Sequence, residues 1–240
     1  LDVFQHSSER DRGNLVLIND GAAKFRASDQ RFGVQETLGI ALADFDDDGD
    51  LDAYCANWGG PNRIWLNDGT GTFSDSGEEL GHSNSIRVAV GDLDADGDID
   101  ACVTNNQEQT RIWQNDGEAH FEGVIPSAVK MPSVGVALAD FDGDGGKDIL
   151  IGNGDVPDGP PLSPNQLLLS NGKEKWTSEW IGAGKATAFT VADFDGDGVL
   201  DVYVGNGHRE PDQVWLSSEI HRIEKTQHEL RFIDAGQRLG

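Results

Sequence analysis

Apolar and polar residues alternate in short runs that recur along the chain. The clearest are Ile40-Ala-Leu-Ala-Asp44, Val88-Ala-Val-Gly-Asp92, Val136-Ala-Leu-Ala-Asp140 and Phe189-Thr-Val-Ala-Asp193. A period of two predicts β-strands. The alternate face carries Ala, Gly or Thr, which suits strands crowded near a central axis where a tapering assembly leaves little room. After each run comes an Asp-rich loop and a second strand, as in Ala53-Tyr-Cys-Ala and Val202-Tyr-Val-Gly. A variable loop follows, then a third strand such as Arg63-Ile-Trp-Leu, an Asn-Asp-Gly turn, and a fourth strand beginning at Phe73 or Phe121. Asp-Gly between apolar runs is a strong hairpin signal.

The Asp-rich loop reads Asp-x-Asp-x-Asp-Gly-x-x-Asp four times, from Asp44, Asp92, Asp140 and Asp193, at spacings of 48, 48 and 53 residues. The third strand and its turn keep the same beat: Asn14-Leu-Val-Leu-Ile-Asn-Asp-Gly, Asn62-Arg-Ile-Trp-Leu-Asn-Asp-Gly and Thr110-Arg-Ile-Trp-Gln-Asn-Asp-Gly, with degraded copies from Asn165 and Asp212. Four strands in such a repeat make a β-propeller blade. The expected fold is therefore all-β: a β-propeller of four-stranded antiparallel blades, with units at about 1–34, 35–82, 83–130, 131–183 and 184–240. Leu1-Asp-Val-Phe aligns with Leu51-Asp-Ala-Tyr and Leu200-Asp-Val-Tyr. The first unit is thus expected to open inside a fifth loop, with Asp2 its last ligand. That gives four full blades plus most of a fifth, as part of a larger propeller.

The loop spacing gathers carboxylates at positions 1, 3, 5 and 9, and glycine at position 6 permits the sharp turn. By analogy with other loops of this kind, the position-7 carbonyl also faces the ion. The expected ligand sets are Asp44, Asp46, Asp48, the Asp50 carbonyl and Asp52; Asp92, Asp94, Asp96, the Asp98 carbonyl and Asp100; Asp140, Asp142, Asp144, the Gly146 carbonyl and Asp148; and Asp193, Asp195, Asp197, the Val199 carbonyl and Asp201. All-oxygen coordination selects a hard cation, and a flexible loop favours Ca²⁺ over Mg²⁺. Position 2 is apolar in every copy (Phe45, Leu93, Phe141, Phe194), which is expected to pin the loop to a core. An EF-hand is excluded: position 12, which needs a bidentate Glu, is Cys55, Val103, Ile151 and Val204, and the flanks are strand-like.

Composition narrows the partners. The formal net charge is −25, from 43 acidic and 18 basic residues, which argues against nucleic acid and anionic membrane. Four bound Ca²⁺ would leave about −17, the motif aspartates being the oxygen ligands of a divalent ion. No apolar run approaches the length of a membrane span. Cys55 and Cys102 lie on equivalent strands of adjacent units, so a cross-blade disulfide and two buried thiols both remain open, the thiols being favoured. Nothing resembles a nucleophile elbow, a paired-His site or a phosphate loop, and the aspartates are already committed to metal. No enzyme is expected.

Together these motifs resemble the FG-GAP/VCBS repeats of integrin α-subunit propellers, secreted bacterial repeat proteins and some fungal lectins. The resemblance covers essentially the whole chain. It implies a propeller, usually seven-bladed, with calcium in the loop joining the first two strands of a blade, and an extracellular, cell-surface or periplasmic setting. Two departures stand out. Lys147 replaces an apolar residue in the third loop, and the fifth unit has Ser217-Ser-Glu and an insertion through Leu230 where the Asn-Asp-Gly turn belongs, which leaves its outer edge undefined.

Variable loops on a repeating frame are where binding usually resides. Here they are 5–13, 57–61, 105–109, 153–164 and 206–211, on the face opposite the metal loops, with Trp58, Asp155, Asp158, His208 and Arg209 as the candidate contacts. Trp65, Trp113 and Trp215 share one repeat position, which reads as blade-to-blade packing rather than a sugar-stacking set. The functional expectation is a non-enzymatic, calcium-stabilised module that binds a protein or carbohydrate ligand, adhesion- or lectin-like. The alternative is a spacer in a large surface protein. In either, the rest of a longer chain or another chain is expected to complete the ring.

Overall fold

The structure is a computed structural model. It describes residues 3–7, 13–22, 24–126, 131–154, 163–170, 176–207, 210–218 and 231–239. The described residues form 19 strands and no helix, in five antiparallel sheets. The first sheet has three strands, β1 (Val3–Gln5), β2 (Leu15–Asn19) and β3 (Phe25–Ala27). The second runs β4 (Glu36–Ala43), β5 (Asp52–Trp58), β6 (Arg63–Asn67), β7 (Phe73–Asp75), and the third β8 (Ser85–Gly91), β9 (Asp100–Asn105), β10 (Arg111–Asn115), β11 (Phe121–Val124). The fourth runs β12 (Ser133–Ala139), β13 (Asp148–Asn153), β14 (Ser163–Ser170), β15 (Trp176–Gly184), and the fifth β16 (Ala186–Ala192), β17 (Asp201–Asn206), β18 (Asp212–Ser218), β19 (Arg231–Leu239). Each sheet is a meander in sequence order. This is a β-propeller architecture of four full blades and one three-stranded blade. The outer edge of the fifth blade, undefined in the sequence, is β19, paired to β18 from Asp212↔Leu239 to Ser218↔Arg231.

Inner strands of successive blades touch, β4 on β8, β8 on β12 and β12 on β16. The small residues expected there have a visible cause. A Cβ on Gly39 would lie 3.0 Å from the Ile86 carbonyl oxygen and 3.1 Å from Arg87 Cα on the next inner strand. Apolar clusters fill the seams. Tyr54, Ile64 and Phe45 join the second blade to Val103 and Trp113 of the third, while Leu150 and Leu167 of the fourth meet Val202 and Val204 of the fifth. Between the first two blades the seam is aromatic, with Phe32 5.4 Å from each of Phe4, Trp65 and Phe73.

The repeated tryptophans belong to these seams. Trp65, Trp113 and Trp215 each lie against a positive-φ glycine of the preceding blade. A Cβ would approach the ring to 3.7 Å at Gly33, 3.2 Å at Gly81 and 2.8 Å at Gly182. In the fourth blade the equivalent residue is Leu168, paired with Ile149 as Trp65 is with Ala53. Cys55 and Cys102 are buried and free. Burial pushes both thiols up to about 12, which leaves them protonated and unreactive.

A second repeated device closes the loops that join the middle strands of the second to fifth blades. The last residue or last but one of the second strand is an asparagine whose side chain donates across the neck of the loop. Asn57 Nδ2 reaches the Pro61 carbonyl at 2.8 Å, Asn105 the Gln109 carbonyl at 2.8 Å, Asn153 the Pro164 carbonyl at 2.6 Å and Asn206 the Pro211 carbonyl at 2.8 Å. The oxygen of that amide accepts from an inner-strand hydroxyl: Thr37 at 2.7 Å, Ser85 at 2.9 Å and Ser133 at 3.0 Å. In the fifth blade the hydroxyl position is Ala186, fully buried and paired with Asn206, and Asn206 Oδ1 has no partner. Ala186→Ser is therefore expected to stabilise the protein by about 1 kcal/mol, the net worth of one buried hydrogen bond. At this chain length that raises Tm by about 2–4 °C. Thermal unfolding of the variant checks this, and an unchanged or lower Tm refutes it.

Candidate metal centre

Each Asp-rich loop joins the inner strand of a blade to its second strand, so all four lie at the same end of the sheets. The turn is set by backbone geometry at two positions. Position 6 is glycine at φ 93° (Gly49), 107° (Gly97), 96° (Gly145) and 89° (Gly198). Position 4 is also left-handed in every copy: Asp47 at 57°, Ala95 at 65°, Gly143 at 73° and Gly196 at 83°. The sequence signalled the first requirement but not the second, because two of the four residues at position 4 are not glycine.

Within the loop the carboxylates hold their own backbone. Asp44 accepts from Asp48 N at 3.2 Å and Gly49 N at 2.9 Å; Asp140 accepts from Gly143 N at 2.7 Å and Gly145 N at 3.0 Å; Asp193 accepts from Gly196 N at 2.6 Å and Gly198 N at 3.0 Å. Asp92 accepts from Ala95 N at 2.7 Å. The position-5 carboxylates accept from the position-7 amides of Asp50, Asp98, Gly146 and Val199 at 2.8–2.9 Å. The turns these bonds hold also bring the carboxylates of each loop together. Ligand atoms of Asp44, Asp46 and Asp48, of Asp92, Asp94 and Asp96, of Asp140, Asp142 and Asp148, and of Asp193, Asp195 and Asp197 lie within 4.8 Å of one another. In the third loop the converging set includes the position-9 residue and leaves Asp144 outside; in the others it comprises positions 1, 3 and 5.

The donor set fits a hard cation. It consists of oxygens alone, and the charge it concentrates is uncompensated. Burial, then the charges of Asp48 and Asp44, holds the Asp46 carboxyl above its usual range, and burial and Asp96 do the same at Asp94. Asp46 Oδ1 is buried and has no hydrogen-bond partner. A desolvated carboxylate oxygen without a donor is costly, and a cation among the three carboxylates would remove that cost.

The position-9 aspartates have a second task. Asp52, Asp100, Asp148 and Asp201 are fully buried. Each accepts at one oxygen from the position-2 amide: Phe45 N at 3.0 Å, Leu93 N at 2.8 Å, Phe141 N at 2.7 Å and Phe194 N at 2.7 Å. The other oxygen accepts from the end of the third strand, at Asn67 N, Asn115 N, Ser170 N and Ser217 N, all 2.8–2.9 Å. One carboxylate thus ties three strands together beneath the metal loop. Burial pushes Asp52 and Asp148 up to about 6 and Asp100 up to about 7, against the opposing pull of these amides. Sequence spacing marked these residues as ligands and gave no sign of the clamp.

Position 2 behaves as expected in three loops and differently in the fourth. Phe45, Leu93 and Phe141 are 0–2 % exposed, whereas Phe194 is 46 % exposed. The cover comes from the following blade. The Phe45 carbonyl accepts from Asn115 Nδ2 and Ala119 N, both at 2.9 Å, and its ring lies 5.7 Å from Phe121; Phe141 lies 6.0 Å from Phe232. Among the described residues no blade follows the fifth.

Of the candidate partner contacts, Trp58 is half-buried at the end of β5, where it bridges to Asn84 of the third blade. Asp155, Asp158, His208 and Arg209 lie outside the described residues, as does Asp2. A feature the sequence did not signal is a cleft between the first two blades, of about 400 Å³, lined by Arg31, Gln35, Arg63, Trp65 and Asp75. Its walls come from distant segments, which no local motif reveals.

The repeats match known families. The description FG-GAP-like repeat matches residues 44–103 and 92–151, and FG-GAP repeat matches residues 186–216. Among solved structures, a chain of the crystal structure of BBS1N in complex with ARL6DN, soaked with mercury, is similar over 90 % of this chain and 68 % of that one, at 12 % identity and a TM-score of 0.53. At that identity the likeness is one of fold. No curated protein is matched by the sequence. No helix among the described residues is long and apolar enough to cross a membrane.

Proposed function

Starting from a chain that belongs to the FG-GAP repeat family, we propose that its four Asp-rich loops bind Ca²⁺ and that it is a non-enzymatic, extracellular, surface or periplasmic module for a protein or carbohydrate ligand. The observation that carries the metal reading is the buried, unpartnered Oδ1 of Asp46 among three converging carboxylates. The proposed ligands are the aspartates at positions 1, 3, 5 and 9 with the carbonyls of Asp50, Asp98, Gly146 and Val199. Calcium holds the end of each blade at which these loops lie. Extracellular calcium suits sites of the modest affinity such loops usually have.

The ligand-binding half of the proposal rests on the opposite face. There the loops between the middle strands vary in sequence and length while their necks are clamped by the same asparagine. A rigid frame with variable loops is the usual design of a binding surface. The test is a screen of the purified chain on glycan and protein arrays, in calcium and in EDTA. Saturable binding that is lost in EDTA is the expected result. If no glycan or protein is retained in calcium, a spacer role in a longer surface protein becomes the better reading.

A further inference from the structure

We infer that the cleft between the first and second blades receives a carboxylate, carried on a compact polar molecule such as a sugar acid or an amino acid. This rests on the proposed role of the face opposite the calcium loops. The segment 33–35, which lines the cleft, enters β4 at the end remote from Asp44.

The cleft has a volume of about 400 Å³ and adjoins a second of about 300 Å³ lined by Gln5, His6 and Leu15; Gly13 and Arg31 belong to both. Gly13 and Gly33 both have φ +65°. A Cβ at Gly13 would lie 2.8 Å from the Gly33 carbonyl oxygen and 3.3 Å from Arg31 Cβ, so glycine is what keeps the wall between the clefts thin.

Two arginines face this space and differ in one respect. Arg63 is neutralised, with Glu79 at 2.6 Å and Asp75 at 3.8 Å. Arg31 donates from Nη1 to the Ser28 and Gln30 carbonyls at 2.9 and 2.7 Å, and among the described residues no carboxylate pairs with it. Those two bonds fix the guanidinium without neutralising it, and leave Nε and Nη2 to donate. Arg87 likewise donates to two carbonyls and pairs with no described carboxylate; what sets Arg31 apart is that it lines both clefts. Its planar fork matches a carboxylate. The single charge, within so acidic a protein, favours a monoanion over a dianionic phosphate.

The other walls suit a small polar body. Trp65 and the exposed Val34 give an apolar side. Gln35 accepts from Val34 N at 3.3 Å, which leaves its amide nitrogen to donate. The volume is at the low end for ligand pockets and holds one compact molecule.

The experiment is calorimetric titration of the full 240-residue chain, in calcium, with the monoanions glucuronate and N-acetylalanine, and with glucose and inorganic phosphate. At least one of the two carboxylates is expected to bind saturably, and which one binds identifies the source. Arg31→Gln is expected to weaken that binding about tenfold or more, the worth of a charge-assisted hydrogen bond. Arg31→Lys is expected to fall between, with the melting temperature of both variants unchanged. Glucose binding as well as glucuronate, phosphate binding tighter than either carboxylate, saturation by none of them at millimolar concentration, or full affinity in Arg31→Gln would each overturn the inference. An array ligand bound equally by Arg31→Gln leaves the proposed function standing and counts against this site. Carboxylate binding with blank arrays does the reverse.

Discussion

Removing calcium is expected to lower the melting temperature of the purified chain by more than about 10 °C. A site with Kd a hundredfold below the free calcium concentration contributes about 2.7 kcal/mol, and there are four loops of one design. Each kcal/mol moves Tm by about 2–4 °C at this length, so even two such sites exceed the stated shift. The effect also has a pH signature. In the metal-free protein, burial raises Asp100 to about 7 and Asp52 and Asp148 to about 6, from an ordinary 3.8. The folded state then holds protons that the unfolded chain has released. Stability from these groups is fully present below pH 4 and is lost as pH rises to about 7. Calcium reverses this by favouring the ionised form, so the gap between calcium and EDTA melting curves should widen from pH 5 to pH 7. A sample in EDTA that melts with the calcium form, measured by circular dichroism, would remove the structural role of the metal.

Asp100→Ala is expected to cost about 2–6 kcal/mol in calcium, because it strands two buried amides, Leu93 N and Asn115 N, each worth about 1–3 kcal/mol. The corresponding fall in Tm is about 4–24 °C. Asp96→Asn is the control. Its position-5 side chain is exposed and keeps an oxygen for Asp98 N, so its effect should appear in calcium and vanish in EDTA. The Asp100→Ala loss should persist in EDTA, reduced because a desolvated carboxylate has also been removed. Paired melts of the two variants in both conditions make the distinction. An Asp100→Ala variant indistinguishable from the native chain in EDTA would mean that position 9 acts through the ion alone.

The fold was legible because its signals are local and repeated. Alternation at Ile40–Asp44, the Asn-Asp-Gly turns and the regular spacing each specify one blade, and copies reinforce one another. The seam tryptophans were legible for the same reason, since regular placement means regular packing. The double use of Asp100 and its equivalents was not, because an amide acceptor and a metal ligand look identical as one letter at one spacing. Phe194 misled for another reason: position 2 is apolar in every copy, but its cover is supplied by the next blade, which one repeat cannot report. The Arg31 cleft was invisible because Arg31, Trp65 and Asp75 meet only in three dimensions. The fifth blade's edge was obscured by the loss of the turn motif, although β19 pairs with β18 over most of its length.

The asparagine at each loop neck bears on how such a chain diverges. Its clamp spans 4 residues in the second and third blades, 5 in the fifth and 11 in the fourth, with the same bond each time. Lengthening a closed loop from 4 to 11 residues costs only about 1 kcal/mol in closure entropy, and the clamp keeps that change from reaching the strands. Insertions and deletions between the clamped residues are thus close to neutral for folding, and one blade can be altered without readjusting its neighbours. Selection can then act on each loop separately, so duplicated blades that begin alike are free to acquire different specificities on a common frame.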